Sequence, residues 1–411
     1  MRRKCAFVIA IITVTLFLSL IADSNAVCQQ PDKPKRKKFG SSLKEPKPQS
    51  TLNQVKSTST SDTSDDAIHL DTTMTVRDVL ITDKAGHFVT GVTQDELIVR
   101  EDGVEQQIGT FAKGDSVVVP KSIILIIDYS YSRFPFLDAS LKAAQTLVSH
   151  LQPNDQMAIV TDDVELVCDY TNDKSKLVKA LNSIRTRIRY GNRGKSLQFS
   201  ALTATLRELI DADHLRPYII FQTHGDEIAR MTDQEKLRKE IYTDVQMKAI
   251  RNSISKISFK EVVQTIEETP GTIYTIIPDD KWISDNPKEY RELGGQLSDQ
   301  LIAGDKRTLR YRQGISEAME QREAHRIQAG QYAASVVARI TGAWTSFLRN
   351  PEDAEEIYDH IWQNINNRYF VGYYPKNTAK DGKKREVRIE VRGHPEYVVL
   401  GRTTYIPSEN D

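Results

Sequence analysis

The sequence predicts an α/β fold: a doubly wound, mostly parallel sheet with helices on both faces, joined to a small β-rich subdomain. Two observations predict it. In the middle of the chain, short continuous apolar runs of the buried-strand type alternate with amphipathic helical segments, which is the order of a parallel sheet. The two segments that flank this region carry alternating strand patterns instead. The 411 residues leave room for two or three domains.

The first element along the chain is an apolar segment of the kind that directs export. Basic residues at 2–4 precede an apolar run over residues 5–22, and Ser24-Asn25-Ala26 supplies the small residues that a signal peptidase requires. We therefore expect a signal peptide over residues 1–26. A retained N-terminal anchor, which would hold the chain at a membrane, is the alternative because the run reaches the lower limit of a bilayer span, about 17–25 residues. Either interpretation places the rest of the chain outside the cytoplasm, whether secreted, periplasmic or anchored to the envelope.

Residues 27–66 are predicted to be a disordered basic tether. They consist largely of Pro, Lys, Ser and Thr with almost no large apolar residue, so they cannot bury enough surface to offset chain entropy. A solvated spacer is favoured over a segment that contacts acidic envelope surfaces. The basic run at residues 33–38 counts against export, because positive charge there resists translocation.

The composition argues against two classes of protein. Lys plus Arg equals Asp plus Glu at 56 each, so no global charge favours a nucleic-acid partner. The three cysteines, Cys5, Cys28 and Cys168, are too few for a disulfide framework. Cys168 lies in an apolar run, where we expect a small buried side chain rather than a reactive thiol.

Residues 67–118 are predicted to be a small β unit that needs partners. Alternating strand patterns lie on either side of turn signals at residues 83–86 and at Glu101-Asp102-Gly103. A unit of this size is not stable alone. The C-terminal segment 368–411 has strand patterns near 368–374, 385–392 and 397–405, and we expect it to pair with residues 67–118.

Residues 119–367 are predicted to be the α/β domain. Its expected strands are at 122–127, 156–161, 165–168, 218–223 and 272–277, with an edge strand at 343–347. Its expected helices are near 136–151, 175–186, 197–212, 329–341 and 354–367. Two polar stretches, near 231–268 and 281–327, are predicted to be helical insertions.

A candidate metal-binding loop follows the first strand of this domain. In a doubly wound sheet, ligands bind beyond the carboxyl ends of the strands, where the strand order reverses. The strand at 122–127 runs into Asp128-Tyr129-Ser130-Tyr131-Ser132. Alternate side chains of an extended segment share a side, so Asp128, Ser130 and Ser132 present three oxygens to one point. A hard cation such as Mg²⁺ prefers such ligands. The two tyrosines should pack under the loop.

At these residues the chain resembles the von Willebrand factor type A domain, and in particular the acidobacterial-type VWFA-related exported proteins. The resemblance covers most of the chain after the tether. It is carried by Thr90–Thr93, Val99–Gly103, Ile126–Ser132, Phe370–Pro375 and Asp381–Lys383. It implies a metal-ion-dependent adhesion site whose ligands come from three loops.

The other two loops of the family's site can be matched residue by residue. Gly194-Lys195-Ser196 stands where the family has Gly-Gly-Thr, and Ser196 keeps the hydroxyl ligand. The third loop is usually Thr/Ser-Asp-Gly, but this chain has Thr223-His224-Gly225-Asp226. His224 stands in place of the family's carboxylate, so binding of Mg²⁺, Ca²⁺ or Mn²⁺ should be weakened. Asp226 could compensate by holding the ion through a water. A degenerate site that holds no metal is the alternative.

Basic residues cluster just before the second loop. Arg189, Arg193 and Lys195 are predicted to form a rim that attracts an acidic partner, although a solvated face is the more usual meaning of such a run. Gly194-Lys195-Ser196 also matches the end of a nucleotide-binding loop. That alternative is weak because Arg189 stands where the pattern requires glycine.

These features favour a binding protein over an enzyme. The sequence contains no nucleophile elbow, zinc motif or Ser/His/Asp signature. We expect an exported or envelope-associated adhesion or assembly module that engages an acidic group of a protein partner through the metal site. The alternative is a structural envelope component whose metal site is silent. Dependence of partner binding on metal discriminates between the two.

Overall fold

The structure is a computed structural model that describes residues 38–44, 74–115, 120–130, 134–210, 216–306 and 317–407. The predicted signal peptide and most of the predicted tether lie outside these residues. Within the described ranges, no helix combines the length and the apolar character that a membrane span requires.

The secondary structure alternates strands and helices through the middle of the chain. The strands are β1 (Thr75–Thr82), β2 (Leu97–Glu101), β3 (Val104–Gln106), β4 (Ile108–Lys113), β5 (Ser122–Ile127), β6 (Gln156–Thr161), β7 (Glu165–Thr171), β8 (Pro217–Gln222), β9 (Thr272–Ile277), β10 (Thr345–Phe347), β11 (Tyr369–Tyr373), β12 (Arg385–Val391), β13 (Val398–Leu400) and β14 (Thr404–Tyr405). The helices are α1 (Phe134–His150), α2 (Lys174–Arg189), α3 (Gln198–Glu208), α4 (Glu235–Ile241), α5 (Asp244–Ala249), α6 (Phe259–Glu268), α7 (Pro287–Lys306), α8 (Glu317–Ile340) and α9 (Ala354–Asn367).

The central sheet has six strands in the order β10-β9-β8-β5-β6-β7. All neighbours are parallel except β6 and β7, which pair antiparallel. Strand β5 lies between β6 and β8, so the strand order reverses at its carboxyl end, as the sequence predicts. Every residue of β5, β8 and β9 is buried, which explains their continuous apolar runs.

Helices cover both faces of this sheet and create two cores. On one face, apolar side chains of α1, α2 and α9 pack on the sheet. On the other face, α3, α6 and α8 do the same. The doubly wound fold class is thereby confirmed. Cys168, expected to be buried, is partly buried and packs at the margin of the first core.

Two four-stranded sheets form the β-rich subdomain, in the orders β13-β1-β11-β4 and β14-β12-β2-β3. Strand β11 pairs with both β1 and β4, and β12 pairs with β2, so the two flanking segments meet as predicted. Their inward side chains form a third core. The turn between β2 and β3 has φ of 47° at Asp102 and 82° at Gly103, which is the two-residue hairpin geometry that this pair of residues favours.

A buried charged cluster joins this subdomain to the amino edge of the central sheet. Arg216 and Arg368 have fully buried side chains, and both approach the carboxylate of Asp78 on β1, at 3.4 and 3.6 Å. Arg216 also donates to the Tyr218 hydroxyl at 2.7 Å, and Arg368 donates to the backbone oxygen of Asp78 at 2.8 Å. One carboxylate is therefore shared by two guanidinium groups from different parts of the chain.

Three predicted segments differ from the structure. The stretch 232–268 is three short helices, and the last of them, α6, buries Val262 and Ile266 in the second core rather than forming an insertion. Helix α8 begins inside the predicted insertion 281–327 and continues through the predicted helix 329–341, because nothing in the sequence breaks it between them. Within the predicted tether, residues 39–44 are folded onto the domain, since Phe39 and Leu43 pack against the second core.

Candidate functional site

The site is built at the carboxyl end of β5 around Asp128. Its carboxylate is 3% exposed and accepts hydrogen bonds on both oxygens. Oδ1 accepts from the backbone N–H of Ser130 at 3.0 Å and from the Ser130 hydroxyl at 2.5 Å. Oδ2 accepts from the backbone N–H of His224 at 3.2 Å and from the side-chain amide of Gln198 at 2.8 Å. Groups from three separate loops therefore converge on this one carboxylate.

The second loop is held by Asp162, which follows β6 and is fully buried. Its carboxylate accepts the backbone N–H groups of Tyr129 at 3.1 Å and Ser196 at 2.7 Å. Ser196 has a left-handed backbone, with φ of 56°, which aims its N–H at Asp162. Gly194 lies so close that a Cβ there would be 1.9 Å from an Asp162 oxygen. This contact is why the loop needs glycine at that position.

Gln198, the first residue of α3, closes the space between the first two loops. Its side chain is fully buried. Its amide nitrogen donates to Asp128 Oδ2 at 2.8 Å and to the Ser196 hydroxyl at 3.1 Å. The orientation of the amide is fixed because its oxygen accepts the backbone N–H of Glu227 at 3.1 Å. The nitrogen therefore has to face the two oxygens that the sequence assigned to a metal ion.

In the third loop, His224 lies at the site, whereas Asp226 lies away from it. His224 Nδ1 lies 3.4 Å from Asp128 Oδ2. Asp226 pairs instead with Arg326 of α8, at 2.6 Å. Gly225, with φ of 73°, packs directly against the backbone of Gly330, so α8 sets the course of this loop.

The pKa values of the two buried carboxylates, Asp128 and Asp162, are shifted in opposite directions. Burial tends to raise the pKa of Asp128, but the hydrogen bond and charge of His224, with the bonds from Ser130 and Gln198, lower it to about 2. Burial, followed by the charge of Asp128, raises the pKa of Asp162 to about 8. Burial tends to lower the pKa of His224, but Asp128 outweighs it and the pKa is raised. Asp128 therefore favours the protonated form of His224, and His224 favours the charged form of Asp128.

The predicted metal-site residues thus fall into three groups. Asp128, Ser130, Ser196 and His224 come together, and Asp226 does not. Ser132 lies outside the described residues, as does Tyr131. Tyr129 is 3% exposed and donates to Asp163 at 2.9 Å, which confirms that it packs under the loop.

The predicted rim, made of Arg189, Arg193 and Lys195, is exposed. None of its three members forms an ion pair with another described residue. Tyr190, which was not singled out from the sequence, is 80% exposed beside them. Arg187, by contrast, points back and forms a bidentate pair with Glu165 at 2.8 and 2.7 Å. The free cations of this run therefore lie on the turn that leads into the second loop.

Sequence reasoning missed Gln198, Asp162 and Glu227. Glu227 is fully buried and accepts from Ser200 N–H at 2.9 Å and from the Ser255 hydroxyl at 2.8 Å. The position of Gln198, two residues after the Ser196 hydroxyl, was the available signal. A glutamine at the start of a buried helix needs polar partners, and the first loop is the place where they can be found.

The described donor set does not fit Mg²⁺ as it stands. Mg²⁺ requires oxygen ligands around it. Here the inward-facing oxygens of Asp128 and Ser196 already accept hydrogen bonds from the Gln198 amide nitrogen, and Oδ2 of Asp128 also faces Nδ1 of His224. Within the described residues, no group of three or more His, Cys, Asp or Glu side chains is arranged to hold a metal ion. Binding of Mg²⁺, Ca²⁺ or Mn²⁺ stays a prediction that would require the Gln198 amide to turn away.

Comparisons with known proteins add little beyond the fold. No family model matches the chain, and no curated protein matches it. Among solved structures, the vWF domain of the type V pili tip protein Mfa5 from Porphyromonas gingivalis is 11% identical, with a TM-score of 0.33, covering 61% of this chain and 96% of that one. Manganese-loaded TRAP protein from Plasmodium vivax is 10% identical, with a TM-score of 0.27, covering 76% and 99%.

Proximal thread matrix protein 1 from the mussel byssus is 9% identical, with a TM-score of 0.32 and 59% of this chain covered. The match spans about half of that protein, 47% of its length. Such low identities and partial superpositions carry no argument about function. The von Willebrand factor A-like fold class rests on the strand order and the two helical layers.

Proposed function

We propose that this chain is a non-enzymatic protein-binding module that works outside the cytoplasm, in adhesion or assembly, and engages an acidic partner through loops at the carboxyl edge of its sheet. The observation that carries the proposal is the exposed rim of Arg189, Arg193 and Lys195. These cations lie next to the second loop without a carboxylate partner among the described residues, and Tyr190 beside them is a typical contact residue. A positive surface of this kind attracts and orients an acidic surface.

The proposed binding does not require a metal ion. A metal at an adhesion site would offer an open coordination position to the partner's carboxylate. In this chain the Gln198 amide bridges the oxygens of Asp128 and Ser196 that would hold it, and His224 stands where the family has a carboxylate. The partner's carboxylate is then met by the guanidinium groups of the rim, for which bidentate pairing is favourable.

The extracytoplasmic location is supported by the N-terminal sequence. The basic start, apolar run and small residues before residue 27 are those of an export signal or an anchor. Membership of the acidobacterial-type VWFA-related exported family is part of the proposal and is supported by the motifs of the chain.

Capture of a partner from an envelope extract tests the proposal. The chain, with and without EDTA, is compared with a variant in which Arg189, Arg193 and Lys195 are all changed to Glu. We expect capture with and without EDTA, and at least tenfold less capture by the rim variant. The matched control carries Lys248→Glu, Arg251→Glu and Lys260→Glu, three exposed cations elsewhere on the chain. Undiminished capture by the rim variant would contradict the proposal and favour the structural-component alternative.

A further inference from the structure

Residues 39–44, inside the predicted tether, bind the domain through a carboxylate at the end of α3. Glu208 accepts three hydrogen bonds from this short segment: from the backbone N–H of Gly40 at 2.9 Å, from the backbone N–H of Ser42 at 2.9 Å and from the Ser42 hydroxyl at 2.5 Å. Arg207 donates to the backbone oxygen of Ser42 at 3.4 Å. Charge-assisted hydrogen bonds therefore engage three donors and one acceptor of the segment.

Apolar contacts flank these polar ones. Phe39 and Leu43 pack against the second core, and Val164 and Leu166 of the β6–β7 hairpin pack against the same core. One helical turn, Ser41–Leu43, sets the spacing of the two apolar side chains on either side of the Glu208 contacts. Residues 39–44 therefore contact the domain in three ways: through the aromatic side chain of Phe39, through the hydrogen bonds to Glu208 and through the aliphatic side chain of Leu43.

Gly40 lies against the side chain of Val164. Its φ is 81°, and a Cβ there would lie 2.7 Å from Val164 Cγ1, so only glycine fits. Val164 itself has a φ of 60°, which is rare and strained for a β-branched residue. The segment therefore lies against a strained turn, and that same turn carries Asp162, which accepts hydrogen bonds from the Tyr129 and Ser196 amides of the candidate site.

We propose that α3 and the β6–β7 turn form a peptide-binding groove, and that residues 39–44 are its ligand in cis, acting as a detachable latch. The ligand class is a short peptide with an aromatic residue, a left-handed glycine, a serine facing Glu208 and a leucine. All the contacts come from one contiguous stretch that is separated from β1 by residues 45–74, so the groove can bind the stretch as a separate ligand.

A closed latch has one consequence for the candidate site. The strained Val164 turn is clamped, and with it the Asp162 carboxylate that positions the second loop. Opening the latch loosens that loop, whether or not the rim binds an acidic partner.

Binding of a labelled peptide tests the groove. The ligand is residues 39–44 with blocked ends, and the protein is the full chain lacking only those residues, with fluorescence anisotropy as the readout. We expect the deleted chain to bind the peptide. The intact chain should bind it at least tenfold more weakly, because its own residues 39–44 compete at high effective concentration. Binding should also be at least tenfold weaker for Glu208→Gln in the deleted chain and for a peptide with Gly40→Ala.

Two results would overturn the latch. One is a deletion chain that is folded by circular dichroism but binds no peptide. The other is equal affinity for the Gly40→Ala peptide. If the deletion chain does not fold, hydrogen exchange of full-length chains tests the latch instead. Phe39→Ala should speed exchange of the Val164 amide at least tenfold, whereas Val104→Ala, at a site 51% exposed, should not. Unchanged exchange in Phe39→Ala would exclude a latch.

Discussion

The two edges of the central sheet both bury charged groups, but they use them differently. At the amino edge, Arg216 and Arg368 share Asp78 and tie the β-rich subdomain to the sheet. At the carboxyl edge, Asp128 and Asp162 order three loops through N–H donors, and an exposed basic rim lies beside them. At the amino edge the buried charges are paired with one another within the chain, so their role is structural. The carboxyl edge leaves three exposed cations, Arg189, Arg193 and Lys195, without a carboxylate partner among the described residues.

The largest effect should come from the amino edge. Asp78→Asn would leave two buried guanidinium groups without a carboxylate, and we expect a loss of about 3–5 kcal/mol in the free energy of unfolding. Urea denaturation measures it. The matched control is Glu105→Gln, whose partner Arg100 is 3.8 Å away in a largely exposed pair, and this change should cost less than about 1 kcal/mol. Equal losses in both variants would show that the buried cluster is not what joins the two parts.

A smaller effect, with a pH signature, is expected at the carboxyl edge. The folded pKa of Asp162 is raised to about 8, so the native state holds a proton that the unfolded state releases near pH 4. Stability should therefore fall as pH rises from 4 to 8. In Asp162→Asn, the decrease in the free energy of unfolding between pH 4 and pH 8 should be smaller by more than about 1.4 kcal/mol, the equivalent of one pKa unit.

Urea denaturation of both chains at pH 5 and pH 8 measures the difference. The variant also loses one of the two backbone hydrogen bonds, so it should be the less stable chain at pH 5. Parallel pH profiles would mean that Asp162 is charged in the folded protein and that the carboxyl edge resembles the amino edge.

The smallest effect on stability is expected at the rim. Changing Arg189, Arg193 and Lys195 to Glu should alter the free energy of unfolding by no more than about 0.5 kcal/mol per substitution, since the side chains are exposed and make no ion pair among the described residues. Thermal melts check this. A large loss would mean that the rim supports the fold and is not reserved for a partner.

The sequence predicted the sheet better than it predicted the site. Strands β5, β6 and β9 have the predicted bounds, because a continuous apolar run between polar turns is a strong signal. Asp128 was found from its position after β5. Gln198 was not found, because its role depends on how far a side chain reaches between loops that are 70 residues apart in sequence. The docking of Phe39 was missed for a related reason: one aromatic in a polar segment is visible only when its partner surface is known.

The central claim is that the carboxyl edge carries its own N–H donors where a metal ion would sit, and thermal melts with Mg²⁺ test it most directly. We expect no rise in melting temperature for the natural chain at millimolar Mg²⁺. The double variant Gln198→Ala, His224→Asp, which removes the amide and restores a carboxylate, should be stabilised by Mg²⁺, and adding Ser130→Ala should abolish that gain. A natural chain that Mg²⁺ stabilises as strongly as the double variant would contradict the account.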